Sequence, residues 1–378
     1  MQTVYLDNAA TTPIAPEVIE VITKTMEEAF GNPSSTHQIG RKAKGLVENA
    51  RKNIAKMLGC TASEIVFTAG GSEADNLILR NVITNLEVKR IITSKIEHHA
   101  VLHTIQSLKE EFSIDIEYVN LLEDGDIDYD HLGLILKSSE QKTLVSLMWV
   151  NNEIGNILNS KKVCELCEEN GALFHSDTVQ GIVHLEIDLQ QTPIDFIAAS
   201  AHKFHGPKGV GFAYFKKGFG IQPILIGGEQ ERGARAGTEN THSILGMEKA
   251  LSLGLNNFDK EKEYISNLKQ YFISQLKNTF PESSFNGRSS DSEKSAYHIL
   301  NVRFSKEIPM LLFNLDLKGI AVSGGSACQS GSNKGSHVLN TILSPENALK
   351  TSVRFSFSKY NTVEELDYTI TVLEEILK

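Results

Sequence analysis

Hydrophobic positions recur along the chain with two periods, and their order predicts an alternating α/β protein. Residues 16–30 and 37–58 place apolar side chains every three to four positions, which predicts two amphipathic helices. After them, short apolar runs alternate with helix-like segments to about residue 215. This alternation predicts a mostly parallel sheet with helices on both faces.

Beyond residue 240 the pattern changes to longer helices and fewer strands. The elements predicted there are helices at 241–253, 259–278 and 362–377 and strands at 298–304 and 349–358. The polar segment 283–295 predicts a loop. With 378 residues the chain is long enough for two domains. We expect a large domain at 16–255 and a smaller α+β domain formed by residues 1–15 with 256–378.

Lys203 lies where an apolar strand gives way to a glycine-rich turn. Residues 194–200 and 209–215 both predict buried strands, so the lysine is presented at the edge of a sheet, where α/β proteins bind ligands. Partial desolvation there lowers the pKa of a lysine and makes its amine a nucleophile for Schiff-base chemistry. An isolated lysine beside a turn is more often a surface residue, so the assignment depends on its neighbours.

Asp177 ends another short apolar strand, and we expect it at the same end of the sheet as Lys203. An aspartate beside a pyridinium nitrogen keeps that nitrogen protonated, and a lysine with such an aspartate is what pyridoxal phosphate requires. Gln180 follows closely and is placed to reach the ring oxygen. Residues 65–76 predict strand, glycine turn and helix, in which Gly71 and Ser72 offer backbone N–H groups to a phosphate. Alone, such a turn is more often ordinary helix capping.

Two further strand ends fit the same site. Asn152 follows the strand predicted at 143–150 and can bond to the ring hydroxyl. His98 follows the strand that begins at Arg90 and can stack on the ring and exchange protons near a substrate. A histidine pair after a strand is by itself more often structural or exposed.

Seven segments spread over nearly the full length resemble the cysteine desulfurases, pyridoxal-phosphate enzymes of the class V aminotransferase group, and within them the housekeeping iron–sulfur assembly type. They are 5–13 (YLDNAATTP), 31–35 (GNPSS), 97–100 (EHHA), 151–155 (NNEIG), 200–203 (SAHK), 235–240 (RAGTEN) and 323–329 (SGGSACQ). The resemblance implies the fold type I architecture of pyridoxal-phosphate-dependent aminotransferases, with a mostly parallel sheet of the seven-stranded type and a smaller α+β domain.

The resemblance also implies a role for each site residue. It makes Lys203 the imine-forming lysine, Asp177 the pyridinium partner and His98 the stacking residue. The other cofactor contacts that it implies are Gly71, Ser72, Asn152, Gln180, Ser200 and His202. Thr238 matches a residue that the family supplies to the phosphate of the neighbouring subunit, which implies a homodimer. Arg354, together with Asn152, matches the site of the substrate carboxylate, a task suited to a guanidinium. Three positions depart from the family: Ser72 for threonine, Gly71 for alanine, and Glu229 within a run of glycines.

The four cysteines divide by their surroundings. Cys328 lies among small polar residues that do not pack a core, so we expect an accessible thiol on a mobile loop, where the family places its persulfide-forming cysteine. Cys164 and Cys167 lie one helical turn apart in a helix-like segment. A metal or redox role for this pair is possible, but a zinc site needs further ligands. We expect packing residues and no metal site.

The resemblance implies that the protein removes sulfur from L-cysteine. The products are L-alanine and a Cys328 persulfide, which passes to an acceptor such as an iron–sulfur scaffold or a transfer-RNA thiolation enzyme. A net charge of −10 disfavours nucleic-acid binding. The start of the chain lacks signal-peptide features and no apolar run is long enough to span a membrane, so we expect a cytoplasmic enzyme. The alternatives are an aminotransferase or selenocysteine lyase on the same scaffold, and a catalytically silent sulfur-carrier subunit.

Overall fold

The computed structural model describes residues 3–324 and 335–377. In the described chain the helices are α1 Pro16–Glu28, α2 Gln38–Met57, α3 Gly71–Thr84, α4 His99–Phe112, α5 Tyr129–Lys137, α6 Ser160–Glu169, α7 Thr241–Asn256, α8 Phe258–Thr279, α9 Leu311–Leu317, α10 His337–Ile342, α11 Pro345–Ala348 and α12 Val363–Leu377. The strands are β1 Val4–Tyr5, β2 Ile65–Thr68, β3 Arg90–Thr93, β4 Asp115–Tyr118, β5 Thr143–Ser146, β6 Leu173–Asp177, β7 Phe196–Ser200, β8 Gly211–Phe215, β9 Ser284–Phe285, β10 Ile299–Arg303, β11 Ile320–Ala321 and β12 Ser352–Ser356. None of the helices in this part of the chain is long and apolar enough to cross a bilayer.

The central sheet has seven strands in the order β2-β8-β7-β6-β5-β3-β4. Strand β8 is antiparallel to both of its neighbours, and the strands from β7 to β4 run parallel. Successive residues of β7 point into different apolar clusters: Ile197 and Ala199 into one, Phe196 and Ala198 into the other. The sheet is therefore buried on both faces, as is typical of parallel sheets. The predicted mostly parallel α/β fold is confirmed.

The two predicted amphipathic helices near the start are confirmed as α1 and α2. Helix α1 begins with Pro16 at its first position, where a missing N–H costs nothing. The ring of His37 caps α2 by accepting a hydrogen bond from Gly40 N. Both helices pack against α7. Their buried side chains Val18, Val47 and Ile54 belong to the same apolar cluster as Ile197 of β7, so the two helices help to cover one face of the central sheet.

A second, smaller sheet lies in the C-terminal part of the chain, with the order β12-β10-β9 and antiparallel pairing. Its apolar cluster includes Val4, Phe272, Val353 and Leu373. The prediction of an unbroken loop at 283–295 is wrong at β9, because Ser284 and Phe285 pair with the edge of β10. We propose that the two sheets mark two domains, residues 16–255 and residues 1–15 with 256–378.

Gly211, in β8, allows a close backbone contact with β7 and with the turn before α3. A Cβ atom there would lie 2.2 Å from Ala199 O and 2.8 Å from Gly70 Cα. Neither atom belongs to a flexible side chain, so the sheet and the turn before α3 would have to separate. Gly45, on the exposed side of α2, has nothing within 4 Å of the same position.

Gly211→Ala should therefore lower the free energy of unfolding by about 1–3 kcal/mol, the usual cost of overpacking. Gly45→Ala should raise it by about 0.5–1 kcal/mol, because alanine loses less backbone entropy in a helix. Urea unfolding of both variants beside the wild type measures the difference. Equal stability of the two variants would contradict the close packing of Gly211.

Candidate active site

The site forms where parallel strands end. Strands β6 and β7 pair with Asp177 opposite Ala198, so Asp177 and Ser200 end neighbouring strands at the same edge of the sheet. A single 3-10 turn, Ala201–Lys203, follows β7 and presents Lys203. The predicted placement of Lys203 and Asp177 at the same end of the sheet is confirmed.

One pocket at this edge brings together ten of the predicted side chains. Its predicted members are Gly71, Ser72, His98, Asn152, Asp177, Gln180, Ser200, His202, Lys203 and Arg354. Five further residues complete the lining, and the sequence patterns predict no role for them: Ala9, Ala10, Asp75, Met148 and Val179. The pocket thus combines one lysine, one arginine and two aspartates with hydroxyl, amide and imidazole groups.

Lys203 is held by the N-terminal segment. Its Nζ donates hydrogen bonds to the carbonyl oxygens of Ala9 and Ala10, each at 2.8 Å. The Gln180 amide donates to the same Ala9 oxygen, also at 2.8 Å. The N-terminal segment is itself anchored beside the lysine turn, because Thr12 N donates to His202 O at 2.9 Å. The lysine amine and the Gln180 amide therefore share one backbone acceptor.

Asp177 is buried at the floor of the pocket, and its Oδ1 accepts a hydrogen bond from Val179 N at 2.9 Å. Burial raises its pKa to about 6, against the lowering effect of that hydrogen bond and of the Lys203 charge. Asp75 is also buried, and desolvation, with Asp177 and Glu97 nearby, raises its pKa well above the ordinary value. The pocket therefore holds two buried carboxyl groups, of which Asp177 is the one whose ionised form the Lys203 charge and the Val179 N–H favour.

Asp75 was not predicted, although the sequence holds a signal for it. It lies four residues after Gly71 on α3, and residues so spaced share one face of a helix. A first turn that faces the pocket therefore carries Asp75 toward the pocket as well.

The glycine turn opens α3 as predicted. Gly70 has φ 151°, a conformation that favours glycine, and the helix begins at Gly71. A Cβ on Gly71 would lie 2.7 Å from Val179 Cγ2, which accounts for glycine where the family commonly has alanine. The first N–H groups of a helix have no partner within the helix, so this turn forms a cradle for an anion, with the Ser72 and Ser200 side chains beside it.

His98 lies at the start of α4, where its Nδ1 accepts a hydrogen bond from Ala100 N at 3.1 Å. Burial, with the charge of Lys203 and neighbouring imidazoles, lowers its pKa to about 4. The ring is therefore neutral at physiological pH. Because Nδ1 accepts, the proton resides on Nε2, which leaves that N–H available as a donor.

Arg354 lies in β12 with 1% of its surface exposed. Its Nη2 pairs with Asp7 Oδ1 at 2.7 Å, and its Nη1 donates to Asn152 O at 2.9 Å. Asp7 was not predicted, although the segment 5–13 contains it. A buried guanidinium requires an anionic partner, and Asp7 fills this need.

One predicted site residue within the described chain does not line this pocket. Thr238 is exposed and absent from the lining of the pocket. Cys328, the predicted persulfide-forming cysteine, lies outside the described residues.

Cys164 and Cys167 are buried in the apolar cluster that covers one face of the sheet, which confirms their predicted packing role. Burial raises the thiol pKa of Cys164 to about 12 and raises that of Cys167 as well. Within 3–324 and 335–377, no group of three or more histidine, cysteine, aspartate or glutamate side chains is placed to hold a metal ion.

Residues 4–369 match the family model described as aminotransferase class-V. The fold is shared with a solved NifS-like protein, which is 34% identical and superposes with a TM-score of 0.91 over 100% of this chain and 99% of that one. A structure described as SspA in complex with cysteine is 32% identical, with a TM-score of 0.81 over 95% of this chain and 100% of that one.

Curated relatives define the group within that family. The cysteine desulfurase IscS of Dictyoglomus turgidum is 41% identical over 99% of this chain and 94% of its own length. The cysteine desulfurase IscS of Clostridium botulinum is 42% identical over the same shares of both chains. The chain therefore belongs to the cysteine desulfurases of the class-V aminotransferase family.

Glu97 lies directly before His98 and is buried. Its Oε1 accepts hydrogen bonds from Ser94 Oγ at 3.1 Å and Met148 N at 2.9 Å. Burial nevertheless raises its pKa to about 8. The folded protein therefore holds a proton on Glu97 at a pH at which the unfolded chain has lost it.

When the pKa of a group is raised on folding, the free energy of unfolding falls as the pH rises from the pKa in the unfolded chain to the pKa in the folded protein. Relative to Glu97→Gln, the wild type should lose stability between about pH 4.5 and pH 8, by at most about 1.4 kcal/mol per pH unit. Above pH 8 the difference should stay constant. Denaturant unfolding of both cofactor-free proteins across this range measures it. A difference that does not change with pH would contradict a buried, protonated Glu97.

Proposed function

We propose that the protein is a pyridoxal-5′-phosphate-dependent cysteine desulfurase, which removes sulfur from L-cysteine and releases L-alanine. The observation that carries this proposal is the convergence of Lys203, Asp177 and Arg354 on one pocket. The three side chains match the needs of an amine nucleophile, a pyridinium partner and a carboxylate clamp. Membership of the cysteine desulfurase family supports the same function.

The residues present fit pyridoxal phosphate. The glycine turn before α3 is the cradle for the phosphate, to which we assign Gly71, Ser72, Ser200 and His202. We assign Asp177 to the ring nitrogen, His98 to the ring face, Gln180 and Asn152 to the ring oxygen, and Lys203 to the imine carbon. When bound, the cofactor supplies an electron sink for the pair left on the substrate α-carbon after proton removal.

The chain itself orients the substrate and moves its protons. Arg354 binds the α-carboxylate of L-cysteine, together with Asn152. The Nζ of Lys203 takes the proton from the α-carbon as a general base. Asp177, ionised above about pH 6, holds the ring-nitrogen proton in place. The neutral imidazole of His98 exchanges protons at the substrate thiol.

The sulfur then passes to Cys328. Its thiolate attacks the substrate sulfur, so an S–S bond forms while the Cβ–S bond breaks and its electron pair stays on Cβ. A proton added to Cβ, and a proton that Lys203 returns to the α-carbon, complete L-alanine. The products are one alanine and one Cys328 persulfide, which balance the cysteine and thiol consumed. The persulfide sulfur then passes to an acceptor protein in the cytoplasm, such as an iron–sulfur scaffold or a transfer-RNA thiolation enzyme.

The proposed enzyme is a homodimer in which Thr238 contacts the cofactor phosphate of the neighbouring subunit. Thr238 is exposed and lies outside the pocket of its own chain, which suits a residue that serves the other site. Two nearby segments expose apolar side chains: Phe30 is 75% exposed and Ile226 is 91% exposed. A Gln230 hydrogen bond to Ser34 Oγ links these segments. Exposed apolar surface of this kind is a feature of protein interfaces.

The purified protein should be yellow, and Lys203→Ala should alter or abolish its visible band because the variant lacks the imine-forming amine. Sulfide release from cysteine should fall by more than about 10²-fold. Lys217→Ala, which removes an exposed lysine outside the pocket, is the control and should keep both properties. A wild type that stays colourless and cannot be reconstituted with cofactor would refute the proposed function.

Cys328→Ser separates desulfuration from the other reactions of this scaffold. The variant should still change its cofactor spectrum on binding L-cysteine, because Lys203, Asp177 and Arg354 remain. Without a nucleophilic sulfur it should release little alanine and form no protein persulfide. The double variant Cys164→Ala, Cys167→Ala should keep most activity. Mass spectrometry that maps the persulfide to Cys164 or Cys167 would show that the catalytic thiol is wrongly assigned.

Thr238→Ala should make the protein lose cofactor about 10–100-fold more readily, the effect of one lost hydrogen bond to a charged group. Thr371→Ala, at an exposed position on α12, should have no effect. Absorbance after dialysis measures retained cofactor, and light scattering measures the oligomer. A stable and fully active monomer would contradict the shared site.

A further inference from the structure

A pair of stacked imidazoles lies behind the pocket, beneath Gln180 and Lys203. The rings of His184 and His298 are 3.8 Å apart between centroids and inclined by 21°. His298 has 2% of its surface exposed. Neither ring lines the proposed cofactor pocket, and none of the steps assigned above uses them.

The chemistry of its neighbours sets the orientation of the Gln180 amide. One end of the amide lies 2.8 Å from Ala9 O, a carbonyl that only accepts hydrogen bonds. That end must therefore be the NH2 group. The amide oxygen then points away from Ala9, toward His298 Nε2 at 3.4 Å. Since an amide oxygen only accepts, His298 Nε2 must carry the proton.

The position of the proton on the His184 ring follows from the same reasoning. Its Nδ1 lies 3.0 Å from the Tyr297 hydroxyl, and its ring also hydrogen-bonds the backbone of Lys203. A hydrogen bond that raises the pKa of an imidazole is one in which the ring donates, so the ring nitrogen that faces the Lys203 backbone carries the proton. Burial lowers the pKa of His184 to about 3 and that of His298 well below its usual value. Both rings are neutral at physiological pH, so no repulsion between like charges opposes their stacking at 3.8 Å.

We propose that His298 is a positioning residue that holds the Gln180 amide with its NH2 group toward the cofactor pocket. Stacking on His184 ties this amide to the backbone of Lys203. The first amide hydrogen goes to Ala9 O, so the second is available to the ring oxygen of the cofactor. The inference rests on the proposed function, because it assigns Gln180 to that oxygen.

Two variants separate the hydrogen bond from the packing. His298→Phe keeps an aromatic ring on His184 but removes the N–H donor. His298→Gln restores an N–H donor without the aromatic ring. His131→Phe, at a histidine outside the pocket whose Nδ1 accepts from Asn120 N, is the control.

The readout is the pH midpoint of the visible absorbance of the bound cofactor. A donor to the ring oxygen favours its anionic form and lowers this midpoint. His298→Phe should therefore raise the midpoint by roughly 0.5–1 pH unit, the effect of one weakened hydrogen bond. His298→Gln and His131→Phe should stay near the wild-type value. In a Gln180→Leu background, His298→Phe should cause no further shift, because its effect passes through the lost amide.

An unchanged midpoint in His298→Phe would overturn the inference, as would equal shifts in the phenylalanine and glutamine variants or a full shift in the Gln180→Leu background. A wild type that binds no cofactor refutes the proposed function instead. Nitrogen-15 NMR of the cofactor-free wild type then still tests His298, and it needs no variant to fold. A neutral ring protonated on Nε2 is expected, and one protonated on Nδ1 would overturn the inference.

Discussion

One backbone carbonyl, that of Ala9, organises the centre of this protein. It accepts hydrogen bonds from Lys203 and from Gln180, two side chains that follow different strands of the central sheet. The segment that provides it is attached to the smaller sheet, because Ala9 N donates to Ser356 Oγ of β12 at 2.8 Å. The position of the lysine amine therefore depends on both sheets at once. A shift of either sheet would move the acceptor away from the lysine.

This dependence explains which parts of the site can be predicted from the sequence. Lys203 and Asp177 can be located because each ends an apolar run, and parallel strands bring such ends together. The role of Ala9 cannot be predicted, because it contributes a main-chain oxygen, which every residue type has. The role of Asp7 cannot be predicted for a related reason, since its partner Arg354 lies in β12 and no local pattern connects the two.

The fold likewise has elements that follow from local sequence and elements that depend on distant contacts. Helices α1 and α2 follow from a periodicity that the sequence displays directly. Strand β9 has only two residues, and its extended form depends on pairing with β10. No pattern within two residues is strong enough to predict that pairing. The need for glycine at position 211 likewise comes from the close approach of the turn before α3. No pattern in the neighbouring residues predicts that approach.

The pairing of Arg354 with Asp7 has a consequence for the molecules that the pocket admits. The Nη2 of the guanidinium already lies 2.7 Å from the Asp7 carboxylate, and its Nη1 donates to Asn152 O. A carboxylate that enters the pocket therefore meets a cation whose charge is already offset, so Asp7 weakens the hold of Arg354 on any acid that it binds. The pocket thus favours the exchange of small acids over their retention.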